Sequence, residues 1–219
     1  MTTKTKTKKE VETRVKFILD ETSSMSSCKQ ATISGFNEYI KTLGKDGKNI
    51  LFTLIKFNSA KTQIVHSDES LTKVAQLTEE NYQPDFITPL YDAIGKAVND
   101  ARDVKGKVLF VIMTDGEENA SKEFNRQSIF DLIEAKKKDG WTFIFLGANQ
   151  DSWQAGMSLG ISKGNTINFD TNNMSNVMRG LAVSNTAFSH SVQTSSKSYF
   201  AEYGTYKNKD GTEVEATTK

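Results

Sequence analysis

The sequence predicts an α/β fold: a doubly wound, mainly parallel six-stranded sheet with one antiparallel edge strand and helices on both faces. Three observations predict it. Short apolar runs at 15–19, 50–57, 107–114 and 141–146 alternate with longer stretches of helical periodicity, and strands that alternate with helices form parallel crossover units. The run at 107–114, KVLFVIMT, is almost wholly apolar, as a central strand covered on both faces must be. Only Asn58-Ser59-Ala60-Lys61 joins the run ending at Phe57 to the next one. So short a link permits antiparallel pairing, because a parallel crossover needs about a dozen residues or more.

Taken in order, residues 1–12 are a polar, Lys/Thr-rich tail, too poor in apolar side chains to order itself. The first strand ends at Asp20. Ile33, Phe36, Ile40 and Leu43 recur at helical spacing and predict a helix over 26–43, stopped by Gly44. Strands follow at 50–57 and 62–66, then one or two helical turns at 71–77 and a loop over 78–87. Thr88-Pro89 opens a helix, with Thr as N-cap and Pro at the first helical position; Leu90, Ala93, Ile94, Ala97 and Val98 are its apolar face. The strand at 107–114 is ended by Asp115-Gly116. A helix at 124–138 turns Ile129, Leu132 and Ile133 inward, and a strand at 141–146 is ended by Gly147. A short helix at 152–159, a brief edge strand at 166–169 and a last helix at 174–192 complete a domain spanning 13–203. Residues 204–219 are a polar C-terminal tail.

At 219 residues the chain is one domain able to bury a core. With 28 Lys and Arg against 27 Asp and Glu, there is no basic field, so no nucleic-acid partner is expected. Cys28 stands alone and cannot form an internal disulfide, which fits a reducing compartment. The first residues contain no apolar stretch of the secretory kind. No run nears the ~20 apolar residues that cross a bilayer. The expectation is a cytoplasmic protein with no membrane partner.

The chemistry gathers at strand ends. In a near-extended segment alternate side chains point the same way, so Asp20, Thr22 and Ser24 can converge three oxygens on one point, a donor set suited to a hard cation. In open parallel sheets ligands bind beyond the C-terminal strand ends, where the strand order reverses. With the order 3-2-1-4-5-6, the first and fourth strands are neighbours ~4.8 Å apart, and Asp20 and Asp115 face one spot. Thr88 opens on the same rim. Each residue alone has an ordinary reading: Asp20, Thr22, Ser24 and Thr88 as helix caps, Asp115-Gly116 as a turn. Glu117 and Glu118 read as a solvated acidic rim, and Asn149, Gln150 and Asp151 as a neighbouring polar loop. Tyr82, Phe86 and Tyr91 are aromatics able to flank the site or simply pack.

Together, Asp20-x-Thr22-x-Ser24-Met25, Thr88 and Asp115-Gly116 resemble the von Willebrand factor type A (VWA) domain family with its metal-ion-dependent adhesion site, over roughly residues 15–192. Thr22 replaces the family's first Ser and keeps the hydroxyl. Ser23 stands at the usual Gly, and Phe86 where a Gly often precedes the Thr by two. The resemblance implies a Rossmann-like fold in a stand-alone member of bacterial or phage type. It also implies a metal held by Asp20, Thr22, Ser24, Thr88 and Asp115, and non-enzymatic binding of a protein ligand. Mg²⁺ is the expected ion, with Mn²⁺ as the alternative because the ligand types do not separate them. Neutral hydroxyls leave such an ion electron-poor, so the expected partner is a protein with an exposed Asp or Glu, a second copy of the chain included.

The rival is a Mg²⁺-dependent phosphohydrolase of haloacid-dehalogenase type, using Asp20, Thr88, Lys107 and Asp115. That chemistry needs a second Asp two residues after the first, where this chain has Thr22, whose hydroxyl cannot shuttle a proton near neutrality. No phosphate-cradling Gly-rich loop is present. His66 and His190 lack metal-ligand spacing, and Cys28 reads as a small buried residue.

Overall fold

The computed structural model describes residues 11–148, 152–203, 206–207 and 213–214. Six strands, β1 (Thr13–Asp20), β2 (Ile50–Phe57), β3 (Thr62–Ser70), β4 (Lys107–Thr114), β5 (Thr142–Ala148) and β6 (Thr166–Phe169), lie in the order β3-β2-β1-β4-β5-β6. All neighbours run parallel except β2 and β3. The order and the single antiparallel edge are those expected from the sequence. All eight side chains of β4 are buried, as its unbroken apolar run requires.

The helices are α1 (Lys29–Asp46), α2 (Leu90–Asp100), α3 (Arg126–Lys138), α4 (Ser152–Ser158), α5 (Met174–His190) and α6 (Tyr199–Tyr203). They divide the core in two. On one face Phe17 of β1 and Phe52 of β2 pack with Phe36 and Tyr39 of α1. On the other, Ile18, Phe110 and Phe143 pack with α2 and α3. Burial of each such aromatic contributes roughly 2–3 kcal/mol, so the sheet is clamped from both sides and its C-terminal rim is rigidly placed.

Several boundaries differ from the sequence expectation. The first helix is preceded by a 3₁₀ turn, Ser23–Cys28, and runs through Gly44 to Asp46. A Cβ at Gly44 would meet nothing, so that glycine faces open space, and the packing of Tyr39 and Leu43 outweighs its ~1 kcal/mol propensity cost. β3 continues past His66 to Ser70, because Asp68, held at φ +47°, is fixed by Lys16 Nζ at 2.6 Å and by Thr53 Oγ1 at 3.2 Å. Only Leu71–Lys73 is helical after it. α3 starts two residues later than expected, where Asn125 and Ser128 form a capping box. Helix α6 and two short paired strands, β7 (Tyr206–Lys207) and β8 (Glu213–Val214), lie where the sequence suggested no element or a tail.

Lys107 opens β4. It is 1% exposed, and its Nζ donates to the carbonyls of Phe188 (2.8 Å), Ser189 (3.1 Å) and Ser191 at the end of α5. It therefore caps a helix C-terminus. Seven residue steps along a strand span roughly 23 Å, so Lys107 stands at the opposite pole of the sheet from Asp115. The phosphohydrolase assignment, which needs the two side by side, fails on this geometry.

Candidate functional site

Asp20 is the last residue of β1 and is fully buried. Its Oδ1 accepts from the Thr22 backbone N–H at 2.8 Å, and its Oδ2 from the Thr114 hydroxyl at 2.6 Å. The first bond bends the chain out of the strand, so that Thr22 (1% exposed) faces back into the rim. Thr22 Oγ1 lies 3.1 Å from Ser24 Oγ, and Thr88 Oγ1 donates to Thr22 Oγ1 at 3.1 Å. Asp115 Oδ2 accepts from Cys28 Sγ at 4.0 Å, and Ser24 stands near enough to the Asp115 carboxylate to favour its charged form. Four of the candidate ligands are thus linked by hydrogen bonds, and Asp115 stands beside them where Gly116 meets Ser24 and Thr88, so that three segments remote in sequence gather at one place.

Thr88 does not cap its helix. Pro89 occupies the N-cap of α2 and offers no cap of its own, and the first-turn N–H groups of Tyr91 and Asp92 are taken instead by Glu118 Oε2 (2.9 Å) and Ser121 Oγ (3.0 Å). The Thr88 backbone is instead held by Asn119, whose Oδ1 accepts from Thr88 N at 2.8 Å while its own N–H donates to Thr88 O at 3.0 Å. The hydroxyl is left free to turn into the cluster.

The loops around the cluster are pinned by a network the sequence reading missed. Glu21 and Lys56 form a buried ion pair at 2.7 Å, with side chains 4% and 7% exposed. Glu21 also accepts from Gln83 N at 2.9 Å, and Tyr82, fully buried, donates its hydroxyl to Asp20 O at 2.6 Å. Phe86 sits at φ +68° and is 51% exposed, while its carbonyl accepts from Ser23 N at 2.9 Å. A bulky residue in the left-handed region is strained, and here the surrounding bonds hold it there. Glu118 is not a solvated acid: it accepts from the backbone N–H groups of Tyr91 (2.9 Å), Ala120 (2.9 Å) and Ser121 (2.6 Å). Glu117 is exposed, as read from the sequence. Asn149, Gln150 and Asp151 lie outside the described residues. Thr114 was the nearest miss. It immediately precedes Asp115, and the β1–β4 register, with Leu19 opposite Met113, sets it beside Asp20.

Burial pushes the Asp20 carboxyl up to about 6, with the negative charge of Asp115 adding to the rise and the bonds from Thr114 and Thr22 opposing it. Burial likewise raises Asp115. Among the described residues no Lys, Arg or His nitrogen pairs with either acid.

Two observations test whether these residues fit a cation. Asp115 Oδ1 is buried and has no hydrogen-bond partner among the described residues, so a strong acceptor at this rim is unsatisfied, which is costly without a positive charge. Gly116 keeps the space beside it open: a Cβ there would stand 3.0 Å from Ser24 Oγ and 3.2 Å from Thr88 Oγ1. Among the described residues no three His, Cys, Asp or Glu side chains group as a metal cage. The donor set is two carboxylates and three hydroxyls, all hard oxygens of the sort Mg²⁺ takes alongside retained waters. The residues fit such an ion.

No protein-family model matches the chain, and no curated protein matches it. Solved structures do. The von Willebrand domain of the type V pili tip protein Mfa5 from Porphyromonas gingivalis superposes with a TM-score of 0.65 at 9% identity, covering 84% of this chain and 98% of that one. The pilus adhesin SpaC from Lactobacillus rhamnosus GG gives 0.63 at 13% identity, over 80% of this chain and 30% of that one. A von Willebrand factor type A protein from Catenulispora acidiphila gives 0.53 at 13% identity, over 78% of this chain and 42% of that one. The fold is therefore that of von Willebrand factor type A domains, and this chain spans less than half the length of the last two.

Proposed function

We propose that the domain is a divalent-metal-dependent protein–protein interaction module. Mg²⁺, or Mn²⁺ in its place, is held by Asp20, Thr22, Ser24, Thr88 and Asp115, and the partner is a protein presenting an Asp or Glu. A bound dication supplies a Lewis-acidic position for an anionic oxygen. The chain's own residues do the rest. Asp20 and Asp115 provide the charge, the three hydroxyls fill positions without cancelling more of it, and the pinned loops keep the donors in place before a partner arrives.

The observation that carries this reading is the buried Asp115 Oδ1, without a partner among the described residues, on the same rim as the hydroxyl cluster. The likeness to structures named as pilus tip and adhesin proteins supports an interaction role over an enzymatic one. So does the absence of a carboxylate at position 22, where a proton shuttle would stand.

The test uses Mn²⁺ as probe. Water-proton relaxation should be enhanced when the full chain is added to Mn²⁺, and glutarate should lower that enhancement by displacing water from the bound ion. Asp115→Asn should abolish it. No enhancement with the wild-type chain would overturn the reading.

A further inference from the structure

Beside the cluster, between the C-terminal ends of β4 and β5 and helix α4, lies an open cavity of about 510 Å³, within the range of ligand sites. Its floor is apolar, made by Leu90, Phe145 and Leu159, which are 4%, 2% and 2% exposed. Among the described residues its charged lining side chains are all acids: Asp115, Glu117 and Glu118. The partly exposed ring of Tyr91 stands among them. Arg126 lies near Tyr91 but reaches toward the Ser158 carbonyl, at 3.5 Å, and does not line the cavity.

A second observation marks the cavity as a site. Ser152 lines it and is 4% exposed, yet its Oγ has no hydrogen-bond partner among the described residues. A buried hydroxyl left without a partner costs free energy, and one that borders a cavity can recover it from an occupant. Ser152 stands close against Gly147, where a Cβ would collide with Ser152 Cβ. The wall of β5 is thus cut away to admit Ser152.

We propose that the cavity receives a basic side chain with an aliphatic stem, lysine-like, from the same partner that gives its carboxylate to the metal. The inference rests on the proposed function for the identity of that partner, and on the cavity itself for the chemistry. The apolar floor takes the methylenes. Glu117 supplies a free carboxylate for the ammonium, since the oxygens of Glu118 are occupied by backbone N–H groups. Ser152 Oγ, by a turn about its Cα–Cβ bond, accepts one ammonium proton, and the Tyr91 ring offers its face to the cation. An anionic or purely apolar side chain is disfavoured there, the first by three acids and the second by the unmet hydroxyl. The partner segment therefore carries an acidic and a basic residue close together, and the site discriminates against segments with acid alone.

The test titrates pentylammonium into the full chain in chelator, so that its outcome is independent of the metal, and follows backbone amide shifts. Saturable shifts at Gly147, Ser152 and Leu159 are expected, with pentanol binding several-fold more weakly. Glu117→Gln, a change at an exposed position, should weaken pentylammonium roughly two- to five-fold and leave pentanol unchanged. Ala155→Trp, on the exposed side of α4, should fill the cavity and remove both. Pentylammonium binding no tighter than pentanol, or shifts indifferent to Glu117→Gln, would overturn the proposal. If Mn²⁺ relaxation is silent while pentylammonium still binds here, the metal reading falls and the cationic site stands.

Discussion

The most direct probe of the site is Asp20→Asn. Asp20 is fully buried, and its carboxyl is lifted from 3.8 to about 6. Because the folded state holds the proton more tightly than the unfolded chain, the associated stability is fully present below pH 3.8. It is lost as pH rises through about 6. A lift of that size corresponds to about 3 kcal/mol at ~1.4 kcal/mol per tenfold change in proton affinity. Without metal the wild-type domain therefore pays this sum near neutrality. Asparagine removes the charge and keeps the shape. Its Oδ1 still accepts from Thr22 N, and its amide donates toward Thr114 Oγ1, whose proton turns to the Gly116 carbonyl already 3.2 Å away. In chelator at neutral pH, Asp20→Asn should melt about 6–12 °C above wild type, since 1 kcal/mol moves a domain of this size by ~2–4 °C. Below about pH 4 the two should converge. Added Mg²⁺ should raise the wild type and leave the variant unmoved. Calorimetric melts across pH, with and without the ion, make the measurement. A variant no more stable than wild type in neutral chelator, or a gain that persists undiminished into acid, would refute the electrostatic account.

Other perturbations separate the site from its scaffold. Gly116→Ala places a methyl against Ser24 and Thr88, and should weaken Mn²⁺ binding at least ~10-fold while moving the melting temperature by only a few degrees; isothermal titration checks it. Glu21→Gln leaves Lys56 buried without its counter-charge, and should cost about 3–5 kcal/mol in denaturant melts. Lys107→Met strands the three carbonyls at the end of α5 and should cost about 2–3 kcal/mol, with Mn²⁺ affinity unchanged because the residue lies at the far pole. Metal affinity in the wild type should fall as pH drops below about 6, where Asp20 takes up its proton; relaxation titrations across pH would show it.

Much of the architecture was readable because the strands announce themselves. KVLFVIMT can only be a central strand, and the four residues 58–61 can only turn the chain back. The strand order is the one that doubly wound sheets adopt, and under it Asp20 and Asp115 end neighbouring strands. What was not readable depends on tertiary contacts. Gly44 reads as a stop, but nothing in the local sequence tells that α1 outlasts it. Thr88 before Pro89 reads as a cap, and only the bonds from Asn119, thirty-one residues on, show why it is not one. Nothing local marks Glu21 and Lys56 as partners, and their burial as a pair is set by the loop folded over them. Cavity chemistry of the Ser152 kind leaves no sequence signature, since a lone serine after a polar loop is unremarkable until its surroundings are known.

β1 is hydrogen-bonded lengthwise to both β2 and β4, and carries Asp20 at its far end. Tension entering at Thr13 would load both ladders in shear and pull the first ligand toward the opposite pole, away from Asp115. An ion bridging the two acids would act as a rivet across that seam, so the module's grip and its resistance to being drawn out lengthwise would rise and fall together with metal supply.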